Sequence, residues 1–532
     1  MTRYFNTEGI CSPEKHYMVC LNDRLKLIKE KYVDRGKYFV INRGRQYGKT
    51  TTLRALAEYL RDDYVVISLD FQMLSTANFA DERVFAAKFT GLIQRTLSRD
   101  SEWRDVIDRK AFEKLTAMKE EEDLTMDVMF EGCSEMCETS KKPVVLMIDE
   151  VDSASNYQVF IDFLAMLRGY YLSREYNPIF HSVILAGVYD IKNLKSKIRP
   201  DSEHQYNSPW NIAADFDVVM SFSAGQIRDM LTEYETDRHT GMDTEAVAKT
   251  IYQYTSGYPY LVSAVCKIMD EKLTVPDPLS DCKSIWTAQG VEEAVRIILS
   301  SRTTLFDSMI KHINEYPELK KLLHLMLFQG EQVAYNADNR IIDLAQMFGY
   351  VKRNGTYIHV ANRVFETRLY NLFLSEEEFS NAMSTMARQD KNQFVLDGRL
   401  HMELVLEKFV KHFTDIYGEN DEKFLEDQGR KLFLLYLRPI INGTGNYYIE
   451  SQTRDAGRTD VIVDYAGEQS VIELKIWRGN EYRERGEEQL VGYLDYFHLE
   501  KGYLLSFNFN KKKKPGMRTI TVNGKVIVEA VV

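Results

Sequence analysis

No apolar run in this sequence approaches the roughly 20 residues that a membrane-spanning helix needs, and the opening stretch MTRYFNTEGICSPEKHYM has no apolar segment of the kind a signal peptide requires. Both absences point to a cytoplasmic chain with no membrane partner. Cysteine is scarce: Cys11, Cys20, Cys133, Cys137, Cys266 and Cys282 are scattered, which argues against a disulfide framework. Cys133 and Cys137 lie one helical turn apart with no second cysteine or histidine pair nearby, so zinc is not expected there. An excess of positive charge is missing too. The net charge is −11, whereas phosphate-seeking surfaces are usually basic, yet only the local field at a site matters, so a nucleic-acid partner is not excluded. Internal repeats and long low-complexity linkers are also absent, and domain boundaries must come from changes of pattern.

What is present reads as folded protein. A chain of 532 residues is too long for one ordinary core, and its 32 tyrosines and 27 phenylalanines argue against disorder. Over residues 10–200 short apolar runs (KYFVIN, YVVISLDF, PVVLMIDEVD, IFHSVILAGVYD) alternate with helical stretches, the pattern of a parallel α/β sheet. Residues 201–300 turn helical. Residues 301–385 place helices before GYVKRNGTYIHVANRVF, two β-like runs about an Asn-Gly turn, which suggests a winged-helix unit. Residues 386–532 open with helices and end in strands YYIESQT, TDVIVDY, SVIELKIW and GYLLSFNF, a separate α/β domain.

The stretch KYFVINRGRQYGKTTTLRALAEYL (37–60) ends a strand in Gly-Lys-Thr and opens an amphipathic helix with Leu53, Leu56, Ala57 and Leu60 on one side. It departs from G-x-x-x-x-G-K-[ST] because the first glycine falls at Gly44, one residue late; glycine's task there is to let the backbone turn. In such a loop Lys49 reaches the β- and γ-phosphates, Thr50 ligates Mg²⁺, and the helix start at Gly48 offers backbone N–H groups to phosphate oxygens. A hundred residues on, PVVLMIDEVD presents Asp149 and Glu150 at a strand end; Asp149 would hold Mg²⁺ and Glu150 would polarise the attacking water. With INRGRQYGKTTTL and TSGYPYLVSAVC (255–266), residues 10–375 resemble the AAA-like, archaeal-type P-loop ATPases. That resemblance implies a P-loop NTPase sheet with a helical lid and a winged helix, ATP and Mg²⁺ as cofactors, nucleotide contacts from Gly44, Gln46, Tyr47, Gly48, Lys49, Thr50 and Thr51, and a homo-oligomer. Tyr189 or Asp190, after the fourth strand, could serve as its polar sensor; no arginine finger is assignable.

In AGRTDVIVDYAGEQSVIELKIW (456–477) a two-residue turn at Ala466-Gly467 pairs Tyr465 with Glu468 and sets Asp460 opposite Glu473. Opposed residues share a face with Cβ atoms about 4.5–5.5 Å apart. Two carboxylates that close call for a cation between them, and Lys475 beside them can stabilise a phosphate or position a water. Gln489 lies on the following helical segment and Glu426 ahead of an apolar helix. The segment 390–510 is similar to the PD-(D/E)XK nuclease superfamily, which implies a metal held by Asp460 and Glu473, with Lys475, Gln489 and Glu426 as further catalytic positions. Gly-Arg-Thr stands where the motif often has proline before the aspartate. The expectation is an ATP-controlled, Mg²⁺-dependent nuclease acting on nucleic acid, DNA ahead of RNA, plausibly in bacterial defence or mobile-element biology. The alternative is an ATP-dependent switch whose C-terminal domain binds nucleic acid or protein without cutting. A basic run, Lys511 to Lys514, would lie on a loop near that domain's last strands.

Overall fold

Four parallel strands, β1 (Tyr38–Asn42), β2 (Val65–Asp70), β3 (Val144–Asp149) and β4 (Ser182–Gly187), form a sheet in the order β1-β4-β3-β2. β3 and β4 are buried along their whole length. Inner parallel strands are covered on both faces and therefore need unbroken apolar runs, which is what VVLMID and SVILAG supply. Phe85, Phe89, Phe160 and Phe163 belong to the core on one face; Leu53, Leu56 and Leu60 of helix α1 (Lys49–Leu60) belong to the core on the other. Outside β1 a single parallel bridge joins Phe39 to Ala214. Because α1 follows β1 directly, it starts at the edge of the sheet where β3 also ends, the usual place for a ligand crevice.

The computed structural model describes residues 2–99, 102–188, 210–273, 285–329, 333–417, 426–441, 445–449, 461–466, 468–476, 480–508 and 514–532. The chain divides into two units, one of Met1–Tyr252, Gly257–Lys283 and Met347–Gly349, the other of Gln253–Ser256, Ser284–Gln346 and Tyr350–Val532. In the first, helices α2 (Ala224–Arg238) and α3 (Pro259–Ile268) follow the sheet. A capping box between Ser223 and Gln226 starts α2. The N-terminal segment is strapped to α2 by Arg3, 2.7 Å from Glu233 and 2.9 Å from Asp237, and by the Tyr17 hydroxyl, 2.8 Å from Asp237. Among the described residues no helix is long and apolar enough to cross a membrane.

In the second unit, helix α4 (Arg340–Met347, its last residue counted with the first unit) leads to a hairpin of β5 (Val351–Asn354) and β6 (Tyr357–Val360). Asn354 pairs with Tyr357, so the two connecting residues are Gly355 and Thr356, and Gly355 takes the left-handed φ of +60° that such a turn requires. Further on, α5 (Glu426–Ile441), β7 (Gly445–Ile449), β8 (Val461–Tyr465), β9 (Glu468–Ile476), α6 (Asn480–Tyr496), β10 (Lys501–Phe507), β11 (Gly516–Val522) and β12 (Lys525–Val531) make a six-stranded mixed sheet ordered β11-β12-β10-β9-β8-β7. β7, β8 and β9 run antiparallel, and α6 carries the chain over to β10, parallel to β9. Helices cover both faces of this sheet. A side chain on Gly429 of α5 would sit 2.6 Å from the Phe507 ring, while one on Gly486 of α6 would sit 3.3 Å from Lys475 Cγ. Phe507 and Lys475 belong to opposite faces, since Lys475 pairs with Ser506.

Candidate functional site

The loop between β1 and α1 turns at two residues in the left-handed region, Gln46 (φ +57°) and Gly48 (φ +79°). Gly44 is not among them, so it does not make the turn expected of it. Its need for glycine is steric: a Cβ there would lie 2.5 Å from the Phe348 carbonyl oxygen. The late glycine of the motif is therefore set by a segment three hundred residues away. Arg43, where a strict motif has its glycine, is tied down instead. Its backbone N–H reaches Gly187 O at 3.3 Å, and its guanidinium donates to Asn42 O at 2.9 Å and Phe216 O at 3.2 Å.

Lys49 is the first residue of α1, and its ammonium donates to the carbonyls of Arg43 (2.9 Å) and Gly44 (3.1 Å). Burial pulls its pKa below the usual lysine range, opposed by the charges of Glu150, Asp152 and Asp149. Thr50 is half-buried beside it. The Thr51 hydroxyl accepts from the Cys11 N–H at 3.3 Å, which ties the N-terminal segment to the loop helix. The loop is also gripped from the start of α3. Tyr258 donates to Arg45 O at 2.5 Å and packs edge-on against Tyr47 with ring centres 4.6 Å apart. Gly257 just before it (φ +72°) is as constrained, because a Cβ would fall 1.8 Å from Phe222 O. Thus the TSGYPYL stretch seats Tyr258 on the phosphate loop.

Asp149 ends β3 and is buried; its carboxylate accepts from the Glu150 N–H at 2.9 Å. Glu150 adopts a left-handed φ of +52°, rare for a residue with a side chain and typical of sites where function overrides backbone preference. Burial first, then Asp149 and Asp152, raise its pKa against the opposing pull of Lys49. Asp152 accepts from the Val188 N–H at 2.6 Å and so fixes the end of β4. Tyr189 and Asp190, the sensor candidates immediately after, lie outside the described residues.

On the second sheet the expected hairpin register holds from Tyr465↔Glu468 to Val461↔Ile472. Asp460, the next position, lies outside the described residues, as do Lys511 to Lys513. Glu473 is wholly buried, with the Lys475 ammonium 2.8 Å from its Oε1. Gly486 of α6 lies against the Lys475 stem, and Gln489 follows one turn later, half-buried. Glu426 is the first residue of α5, one turn ahead of the Gly429 that touches Phe507. Among the described residues no three His, Cys, Asp or Glu side chains gather as a metal cage.

Asp152, Tyr258 and the Phe348–Gly349 segment were not found from the sequence. The second acid of DEVD was a signal for Asp152, and a tyrosine between glycine and proline in TSGYPYL was one for Tyr258. Nothing local marks Phe348.

A family profile described as AAA-like domain matches residues 15–374. Among solved structures the chain is similar to a Walker-type ATPase of Pyrococcus abyssi (12% identity, TM-score 0.47, 69% of this chain and 99% of that one). It is also similar to Cdc6p from Pyrobaculum aerophilum (13%, 0.32, 67% and 94%) and to the Aeropyrum pernix ORC1 protein in complex with DNA (13%, 0.29, 68% and 94%). No curated protein matches it.

Proposed function

The chain belongs to the AAA-like domain family, and from that premise we propose that it binds and hydrolyses ATP in its first unit to control a metal-dependent nuclease built on the C-terminal sheet. In the first site the Lys49 ammonium leaves its two loop carbonyls to donate to the nucleotide phosphates, Gly48 and its neighbours offer backbone N–H groups, and Glu150 orients the attacking water. Thr50 and Asp149 fit Mg²⁺, a hard cation that takes hydroxyl and carboxylate oxygens and needs only one or two protein ligands beside the phosphates.

The observation that carries the nuclease half is the buried Glu473 with Lys475 against it on an inner strand. Removing a carboxylate from water costs several kcal/mol, and an apolar residue would pack this sheet more cheaply. The sequence spacing would set Asp460 opposite Glu473, and the Glu473-x-Lys475 pattern on a sheet flanked by α5 and α6 supports a reading as a PD-(D/E)XK-like domain. Asp460 and Glu473 would hold the divalent cation, whose chemistry when bound is to polarise a phosphodiester and acidify a water. Lys475 would position that water and steady the phosphate, with Gln489 and Glu426 as the further catalytic positions that the resemblance implies. The substrate proposed is nucleic acid, DNA first.

Two variants test the halves separately. Glu150→Gln is expected to keep ATP binding within about threefold while hydrolysis falls on the order of 10²-fold or more, read as phosphate release. Its stability should change in a defined direction. Because the folded pKa of Glu150 is raised, the native carboxyl favours its neutral form; its stabilising contribution is complete below the unfolded glutamate value and lost as pH rises through the folded one. At pH 7 Glu150→Gln should therefore melt higher than the parent, and the gap should close on acidification toward pH 4. For the second half, labelled duplex DNA, single-stranded DNA and RNA are incubated with Mg²⁺ or Mn²⁺, with and without ATP. Cleavage by the parent that disappears in Glu473→Gln is the expected result. If no substrate is cut under any condition while ATP is hydrolysed, the C-terminal domain is a binding module and the first unit a switch.

A further inference from the structure

Met347–Gly349 belongs to the first unit although Gln346 before it and Tyr350 after it belong to the second. Three residues are thus lent to the nucleotide-site unit on a two-ended tether, and they touch the phosphate loop itself. The Phe348 carbonyl stands so close to Gly44 that no other residue fits at 44, and the Phe348 side chain is buried. Gly349 takes a left-handed φ of +77°, and a Cβ on it would meet the ring of Tyr47 at 3.6 Å and that of Tyr258 at 3.7 Å. Both tyrosines are part of the loop's surroundings: one is in the loop, and the other bonds its Arg45 carbonyl.

We infer that the Phe348–Gly349 turn positions the phosphate loop and carries its nucleotide occupancy into the second unit. The inference rests on the ATP-binding reading above. Its physical content is a competition for one stretch of backbone. The Lys49 ammonium is bonded to the carbonyls of Arg43 and Gly44, and a phosphate that draws the ammonium away leaves those carbonyls to find other donors. The peptides at 43–45 must then rotate or shift. Tyr258 holds the Arg45 carbonyl, and Phe348 O stands 2.5 Å from where a Cβ on Gly44 would lie. Close-packed contacts of this kind pass displacement on because they have no slack to absorb it. Movement of Phe348 is transmitted along the chain, directly to the end of α4 at Met347 and across Gly349 and Tyr350 to β5, whose first residue Val351 is buried and pairs with Val360.

The test uses the full chain. Binding of a non-hydrolysable ATP analogue is titrated directly, and hydrogen–deuterium exchange is compared at residues 340–360 with and without saturating analogue. The expected result is a change of fivefold or more in exchange at β5 and β6 of the parent. In Gly349→Ala, compared at analogue saturation as judged by the same titration, the exchange change should fall by at least half. Exchange at 351–360 that is indifferent to bound analogue in the parent would overturn the inference. So would an undiminished response in folded Gly349→Ala. Should that variant not fold, the parent comparison decides alone. Absence of any analogue binding to the parent would instead sink the nucleotide reading, and this outcome is separated from the others by the titration.

Discussion

Lys49→Ala is expected to lower ATP turnover on the order of 10²- to 10³-fold, the usual consequence of deleting one preorganised cationic donor from a transition-state site. The geometry explains why no neighbour can substitute. Lys49 is the buried cation of the loop, its position is fixed by the start of α1, and the carboxylates of Glu150, Asp152 and Asp149 all act on it. Arg43, six residues earlier, is bound to Asn42 O and Phe216 O and is not available. The fold should survive. Removing the ammonium leaves two carbonyls short of a donor, which costs about 1–3 kcal/mol each when they stay buried, but it also removes the expense of desolvating a charge. Phosphate release and nucleotide affinity, measured beside a thermal melt, check this; turnover within threefold of the parent in a folded variant would mean that the loop is not the site of hydrolysis.

Gly257→Ala should have the largest effect on stability of any conservative change in the first unit. Two penalties act together. The backbone at +72° is unfavourable for any residue with a Cβ by about 1 kcal/mol. The added carbon would also fall 1.8 Å from the Phe222 carbonyl oxygen, a backbone atom held in place because the Phe222 N–H donates to Gly257 O at 2.8 Å. Neither partner can yield without breaking that bond and moving Tyr258 off the loop. A loss of about 4 kcal/mol or more is expected, which for a unit of this size lowers the melting temperature by ~10 °C. Gly225, by contrast, has only Ser223 Oγ near its Cβ position, at 3.8 Å, so Gly225→Ala in α2 should not lower the melt and serves as the control.

The strands of the first sheet were legible because inner parallel strands admit almost nothing but apolar residues, and KYFVIN, PVVLMIDEVD and SVILAG each contain the strand that forms. The β8–β9 pairing was equally legible, since a two-residue turn leaves no freedom in the register that follows. The site itself was readable only where its residues are contiguous. Lys49, Thr50, Asp149 and Glu150 announce themselves through spacing; Tyr258 stands 213 positions along the chain from Arg45 and Phe348 304 from Gly44, and no periodicity encodes such a contact. The same reason explains Gly44. Its displacement within the motif looks like a fault when only the loop is considered, and becomes a requirement once a carbonyl from residue 348 is laid against it. Whether one or both faces of the C-terminal sheet are covered cannot be read from β8, because its valines and isoleucine fit a half-buried strand and a fully buried one alike.

The strand order β1-β4-β3-β2 has a consequence for how the protein is made. Among the described residues β1 has its ladder with β4 alone, and about 140 residues separate the end of one from the start of the other. At roughly 5–20 residues per second of synthesis, the emerging chain carries an unpaired apolar strand, and a phosphate loop with no wall behind it, for ~10–30 s. Tyr258 and Phe348 arrive later still. The most recognisable motif in the sequence is thus translated well before the residues that complete its surroundings, and for that interval KYFVIN lacks the strand it pairs with.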